Sequence, residues 1–542
     1  MSSTATIELL NYALLRGFPS LFVDYCTHFE QVAPYYPGDF RRPEIRKQKV
    51  DEVIQFPRER NTLVEILIKQ NKNWALDEHT YANIEALQSP DTVAVVTGQQ
   101  VGLFGGPLFT LYKTITTLQI AEQLAQETGK KVVPIFWLED EDHDFEEIAS
   151  TYILSGDTPI PITYTPTQPP EGAVGRIVLD SAIQDTLATL RQALKETEHS
   201  DLLMEALQAC YQPGTTLRDA FALWIKKLLP HSGLVLISPD DPELKRLSLP
   251  LFQKAIVQEE LLFDQLKAIS HTLEQEYHAQ IHPRESNFFL LQDHQRIPLR
   301  KKGDQYYLPS SSQTWSKEEL LHYLHTHPEV FSPNVVLRPL MQDYLLPTAL
   351  YVAGPSEIAY FAQLKPLYHA LDLPMPLLYP RASATLIEPA IRRILNRYEL
   401  EPHELQEDLE VLFKRLVIER METTVDIAFQ NARIHLDQVF HELLPAISSI
   451  EPTLLHTTEA THVQCQKALD RLQQKVIKAE KRKHEQLKKH LERAKNHLFP
   501  KNQLQERILS PVYFLNLYGL QQAEKLQRTL LPDTCSHQLC YL

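Results

Sequence analysis

At 542 residues the chain is too long for one hydrophobic core, because single cores stop growing at roughly 250 to 300 residues, so about two to four units are expected. Hydrophobic residues at 43% and charged residues at 23% argue against both a disordered and a membrane-embedded chain, and no run approaches the roughly 18 apolar residues that span a bilayer. A formal charge of -15 argues against phosphate-driven binding of nucleic acid by the chain as a whole.

The N-terminal MSSTATIELLNYALLRG lacks the basic start, continuous apolar stretch and small-residue cleavage site of a secretory signal. Five cysteines, at 26, 210, 465, 535 and 540, form no CxxC pair, which fits a reducing compartment. The expectation is a cytoplasmic protein without a membrane partner.

Residues 1 to about 90 read as helices, carried by amphipathic stretches such as NTLVEILIKQNKNW and TYANIEALQ. Val93 to Val96 is a short β-branched strand, followed by a glycine-rich turn and a helix from about Pro107 to Glu127. Leu111, Ile115, Leu118 and Ala125 mark the buried stripe of that helix. A second buried strand, Val132 to Leu138, completes a strand-helix-strand unit, which closes into a parallel sheet. Further strands are read in LVLISP from Leu234, NVVLRPL from Asn334 and ALYVAGP from Ala349, the last entering a helix capped at Ser356.

These pieces predict an α/β fold: a Rossmann-like, doubly wound parallel sheet over residues 91–388, with insertions at about 156–232 and about 250–333. From 389 to 500 the pattern is almost entirely helical. In the last long helix Leu469, Leu472, Val476, Ala479, Leu487, Leu491, Ala494 and Leu498 make a near-heptad seam, the mark of a coiled coil that a helical hairpin or a homodimer would bury. The basic stretch from Lys475 to Lys495 on that helix reads as a solvated coiled-coil face. Residues 501–542 carry ILSPVYFLNLYGL, with enough aromatic surface to pack back on the core.

A sheet of this type binds ligands outside the carboxyl ends of its strands, where strand order reverses. There the loop Thr97 to Pro107, TGQQVGLFGGP, places Gly98, Gly102, Gly105 and Gly106 between a strand and a helix start, so backbone N–H groups and the helix dipole can meet a phosphate or carboxylate. Gln99 and Gln100 add amide donors and acceptors. The loop is neither GxGxxG nor GxxxxGKS/T, so it promises neither a dinucleotide nor a Walker-type ATP site, and a merely tight turn is the alternative. Lys113 lies about 200° around the helix from Leu111, off the buried stripe, and is either solvated or turned toward the loop.

The acidic run EDEDHDFEE, Glu139 to Glu147, follows the second strand directly. A solvated helix start would account for it, but Asp142 and His143 at the ligand face suit proton transfer near neutral pH. Its spacing matches no metal motif, and no metal is expected. A third cluster holds Arg338, Gln342, Asp343, Gly354, Pro355 and Glu357, as a substrate-facing group or as an Arg-Asp pair with a helix cap. Arg381, in PRAS, can clamp a carboxylate or phosphate. At the C-terminus Cys535, His537 and Cys540 are one short of the four ligands a closed zinc site takes.

Four segments, TGQQVGLFGGPLFTLYKTITT, FWLEDEDHDFEE, SPNVVLRPLMQDYLLPTALYVAGPSEIAYFAQL and QERILSPVYFLNLYG, in this order, resemble the BshC family, the cysteine ligases of bacillithiol biosynthesis. The resemblance spans nearly the whole chain. It implies a Rossmann-like core with connecting insertions, a coiled coil that mediates homodimerisation, and addition of cysteine to glucosaminyl-malate. Carried over residue by residue, it supports Thr97, Gly98, Gln99, Gln100, Gly105, Gly106, Pro107, Lys113, Glu141, Asp142, His143, Asp144, Arg338, Gly354, Pro355 and Glu357. The core also resembles class I aminoacyl-tRNA synthetases, without their HIGH-type histidine pair or KMSKS-type lysines.

The expected activity is amide formation, with Lys113 and the loop amides meeting negative charge, Asp142 and His143 accepting the amine's proton, and Arg338 or Arg381 holding the malate carboxylates. ATP, ADP or another acyl-activating cosubstrate is implied. The alternatives are a non-catalytic nucleotide-binding or scaffold protein of the same fold and, last, a coiled-coil nucleic-acid binder.

Overall fold

Five apolar runs build the central sheet: Val93–Gln100 (β1), Val132–Glu139 (β2), Val235–Ile237 (β3), Thr348–Ala353 (β4) and Leu377–Pro380 (β5). In the computed structural model they lie in the order β5-β4-β1-β2-β3, all parallel. That is the doubly wound order, with its reversal between β1 and β4. Strands covered on both faces read as continuous apolar runs, and β2, β3, β4 and β5 are buried almost along their whole length. The structure describes residues 6–292, 295–309, 311–420, 424–532 and 535–542, without the side chains at 417–420, 424–426, 480, 481 and 483; Lys481 and Lys483 of the basic helix are thus outside the described side chains.

Helix α1, Leu108–Thr128, follows β1 and ends on Gly129, whose positive φ of 67° is the left-handed cap that glycine adopts freely. Its first three turns are buried nearly all round rather than along one stripe. The cause is the C-terminal segment, which covers the face turned away from the sheet: the Leu108 N–H donates to Leu509 at 2.8 Å and the Gln119 amide to the Gln527 and Leu530 carbonyls.

The strand expected from Asn334 is a helix instead, α2, Leu337–Leu345. The Asn334 side chain accepts from the N–H groups of Val336 and Leu337, and Pro339 falls in the first turn, where its missing N–H costs nothing. Helix α3, Pro355–Phe361, opens directly after β4 on Gly354. A three-stranded sheet of Thr6–Leu10, His537–Tyr541 and Ser383–Ile387 joins the two ends of the chain. Within it both His537 ring nitrogens are engaged by the Ser383 and Thr385 hydroxyls, and burial lowers its pKa to about 4.

The chain divides into two compact units, Met1–Ile387 with Gln503–Leu542, and Glu388–Asn502. The second is helical: α4, Pro389–Tyr398; α5, Leu409–Arg420; α6, Thr424–Ile450; and α7, Leu455–Leu498. Arg433 pairs with Asp470 at 2.9 Å and Asp437 with His462 at 2.7 Å, so α6 and α7 run antiparallel. On α7 the seam is uneven: Leu487, Leu491, Ala494 and Leu498 are buried, while Leu472 is 52% exposed. In the first unit the short helix α8, Gln505–Ile508, returns the chain to the sheet.

Candidate functional site

A cavity of about 800 Å³ opens at the carboxyl ends of the sheet strands. Gly98, Gln99 and Gln100 enter it from the end of β1, Glu139 from the end of β2, Gly354 from the residue after β4, and Arg381 from the residue after β5. This is the place that strand order alone assigns to a ligand.

The glycine-rich loop contributes only its first part. Val101, Leu103, Phe104 and Leu108 are fully buried in an apolar cluster, and Phe104 packs edge-on against Tyr211 at 4.9 Å. Gly105, at φ 89°, has the Trp224 ring where a Cβ would stand, 3.0 Å away. The backbone donors expected to hold an anion are spent internally: Gly102 on Gln100, Gly105 on Gly102, Gly106 on Leu103 and Leu108 on Leu509. Gly105, Gly106 and Pro107 therefore do not line the cavity, and neither does Thr97, whose hydroxyl bonds Val352 across the sheet at 2.8 Å. The loop as built offers no phosphate cradle.

Lys113 is not solvated. Burial lowers its pKa, and its ammonium donates to the Gly98 carbonyl at 2.6 Å and to Glu357. Burial would raise the Glu357 carboxyl, but Lys113, the Gly354 N–H at 2.7 Å and the Tyr351 hydroxyl at 2.8 Å hold it below the usual range. One carboxylate thus ties α1, the end of β4 and the first turn of α3 together. Breaking a buried pair of this kind leaves a lone charge and costs about 3–5 kcal/mol.

Arg338, on α2, sits 2.7 Å from Glu139 and donates to the Tyr360 hydroxyl at 2.9 Å. It does not pair with Asp343, which Tyr368 and Gln342 hold within the core. Burial pushes the Glu139 carboxyl up to about 7 against the pull of Arg338. A Cβ at Gly98 would stand 3.1 Å from the Trp137 carbonyl, so glycine there lets β1 lie close against β2. Arg381 is bound to Glu506 on α8 at 2.8 Å.

The acidic run opens onto the cavity. Asp142 takes the Gln100 amide at 3.0 Å, the His143 N–H at 2.8 Å and, at 3.8 Å, the charge of Arg296. Burial would raise its carboxyl, but these contacts keep it below the ordinary range. The His143 ring lies exposed at the rim, 3.3 Å from Asp142. Glu141 is engaged by Lys245 and the Ser332 hydroxyl. Asp144 is outside the cavity, where its side chain caps a four-residue helix by accepting from the Glu147 N–H. Pro355 lines the wall beside Gly354.

Several lining residues come from parts of the chain that no local pattern connects to the sheet. Phe289 and Arg296, stacked at 4.0 Å, belong to the second insertion, and Arg507 to α8. Glu139 stood unselected at the start of the acidic run, although a carboxylate ending a wholly buried strand is the signal for it. The finished cavity is lined by Glu139, Asp142, Glu147 and Glu357 and by Lys113, Arg296, Arg338, Arg381 and Arg507, with acidic and basic groups intermixed. It can receive a molecule that carries both an amine and carboxylates.

The comparisons with known proteins agree along the whole chain. Residues 6–382 match the model described as bacillithiol biosynthesis BshC, N-terminal Rossmann-like domain, and residues 384–542 that of its C-terminal coiled-coil domain. A relative from Salinibacter ruber, named as a cysteine ligase BshC, is 43% identical over 530 residues, 97% of each chain. Relatives of the same name from Prosthecochloris aestuarii and Chlorobaculum tepidum are each 33% identical, over 93% of both chains and over 96% and 97% respectively.

Proposed function

The chain belongs to the BshC family of bacillithiol biosynthesis, and from that premise we propose that it is a ligase joining the carboxyl group of cysteine to the amine of glucosaminyl-malate, the last step of that biosynthesis. The observation that carries the reading is the cavity at the strand-order reversal, lined by carboxylates and by guanidinium groups together. The amine of the sugar goes to Asp142 and His143, which take its proton as the carbon–nitrogen bond forms. Lys113, locked to Glu357, positions the ends of β1 and β4 and does not meet the developing charge itself. Gln99, Gln100, Gly354 and Pro355 shape the walls.

Condensing a free carboxylate with an amine in water is uphill, so the acyl group arrives activated, through ATP or another donor. The buried loop with its spent N–H groups does not fit nucleotide phosphates. For the helical unit the proposal is a homodimer, supported by the apolar side chains of Ile427, Ile434, Leu443, Val463 and Leu472 that it exposes. Among the described residues no helix is long and apolar enough to cross a membrane, and the five cysteines are free thiols, which supports a cytoplasmic setting.

The test is purified protein with cysteine and glucosaminyl-malate, with and without ATP, read by mass spectrometry for the thiol product. No product with any nucleotide, from protein that binds both substrates, overturns the ligase reading. Sedimentation at micromolar concentration reads the dimer, and a monomer there overturns it.

A further inference from the structure

Of the lysine and arginine side chains that line the cavity, Lys113, Arg296, Arg338 and Arg381 are ion-paired, while Arg284 and Arg507 have no ion-paired partner among the described residues. Lys113 has Glu357, Arg338 has Glu139 and Arg381 has Glu506. Arg507 lies in the same wall and has no hydrogen-bonded or ion-paired side-chain partner among the described residues. Its neighbour Glu506 has nothing left to offer: one carboxylate oxygen takes Arg381 at 2.8 Å and the Ser383 hydroxyl at 2.9 Å, and the other the Ala384 N–H at 2.8 Å. Glu506 is therefore bonded to Arg381, and Arg507 is left without a bonded carboxylate at the edge of the cavity.

The backbone that carries Arg507 is clamped. The Gln505 amide makes both bonds to Leu386, the Leu509 carbonyl takes the Leu108 N–H, and the Ser510 N–H reaches Tyr152 at 2.8 Å. Every polar side chain of α8 before Arg507 is thus committed to the fold, while Arg507 faces the cavity. The residue is exposed to solvent as well as facing the cavity; burial and the nearby Arg381 charge lower its pKa, and the Glu506 charge opposes them.

We propose that Arg507 anchors a carboxylate of the substrate that takes no part in bond formation. Resting on the ligase reading, this assigns it the malyl arm of glucosaminyl-malate, with the amine at Asp142 and His143. Arg338 and Arg381, the arginines expected for this task, are already neutralised by the protein. A planar guanidinium offers a carboxylate two parallel N–H donors, which an ammonium does not.

The test is calorimetric binding of two probes, glucosaminyl-malate and the methyl glycoside of glucosamine, to the full-length protein and to Arg507→Ala and Arg507→Lys. The expected result is that Arg507→Ala weakens the malyl probe about 10- to 100-fold, Arg507→Lys recovers part of the loss, and the methyl glycoside is unaffected. Equal weakening of both probes, or none of the malyl probe, overturns the assignment. Because Arg507 has no side-chain partner to lose, its variants keep the wild-type thermal midpoint, and a fall shared by both variants also overturns it. Arg507-dependent binding without any ligated product would sink the ligase reading and leave the anchor standing. Product formation with unchanged affinity in Arg507→Ala would do the reverse.

Discussion

β1 and β2 are neighbours, paired in register to the last residue, Gln100 opposite Glu139, yet the turns that leave them do opposite things. The glycine-rich turn after β1 dives into the core, with Leu103 and Phe104 buried and its N–H groups spent on its own carbonyls. The acidic turn after β2 stays at the surface of the cavity, with Asp142 half-buried and His143 exposed. Glycine content told nothing about exposure. The residues between the glycines decided it: Val101, Leu103 and Phe104 have to leave water, and glycine at positive φ lets the chain turn tightly enough to bury them. The first turn is therefore a stability element and the second a chemical one, and the two should separate cleanly under substitution.

The largest effect is expected on the chemical side. His143→Asn and Asp142→Asn should each lower kcat about 100- to 10,000-fold, the range of a lost general base, while leaving the thermal unfolding midpoint close to wild type. His143 is exposed and, among the described residues, its ion-pair partner is Asp142 alone, so little of the fold rests on it. Steady-state kinetics beside a melting curve read both quantities. Unchanged kcat in His143→Asn would make the acidic turn structural and break the contrast.

On the other turn the expectation is inverted. Gly105→Ala places a Cβ 3.0 Å from the Trp224 ring at a backbone angle that alanine adopts only with strain. The left-handed conformation and the overpacking together should lower stability by about 2–4 kcal/mol, read by denaturant unfolding. The substrate affinity of the remaining folded enzyme should not move. A variant of full stability that bound substrate poorly would put the loop back at the cavity.

Much of the fold was legible because buried parallel strands announce themselves: Val93 to Val96, Val132 to Leu138 and the run before Gly354 are apolar stretches flanked by helices. Asn334 to Leu340 misled for a local reason, since β-branched valines after Asn334 outweighed a side-chain cap and a first-turn proline. Lys113 lies off the apolar stripe of α1 yet is buried, because the stripe is an incomplete guide where the C-terminal segment covers the other face. The site was legible where strands end, at Gly98 to Gln100, Asp142, Gly354 and Arg381. Arg296 and Arg507 were not, because they arrive through the second insertion and the C-terminal return, and sequence spacing carries no record of either path.

The remaining expected effect concerns the point where the acidic turn joins the core. Asp140, the first residue after β2, is wholly buried beside Ser238, 3.5 Å from Arg218. Burial, with the Asp240 charge adding to it, raises its carboxyl from the usual 3.8 to about 8. Between those values the folded protein keeps a proton that the unfolded chain has released. The stability this group contributes is therefore whole below pH 3.8 and is lost as pH rises toward 8. Asp140→Asn removes the titrating proton while keeping a side chain of the same shape next to Ser238 and Arg218. Its stability relative to wild type should accordingly improve steadily from pH 5 to pH 8, measured by denaturant unfolding at each pH. A constant difference across that range would mean that Asp140 is already ionised at pH 5 and held by Arg218, so that the chemical character of this turn extends inward to the strand end itself.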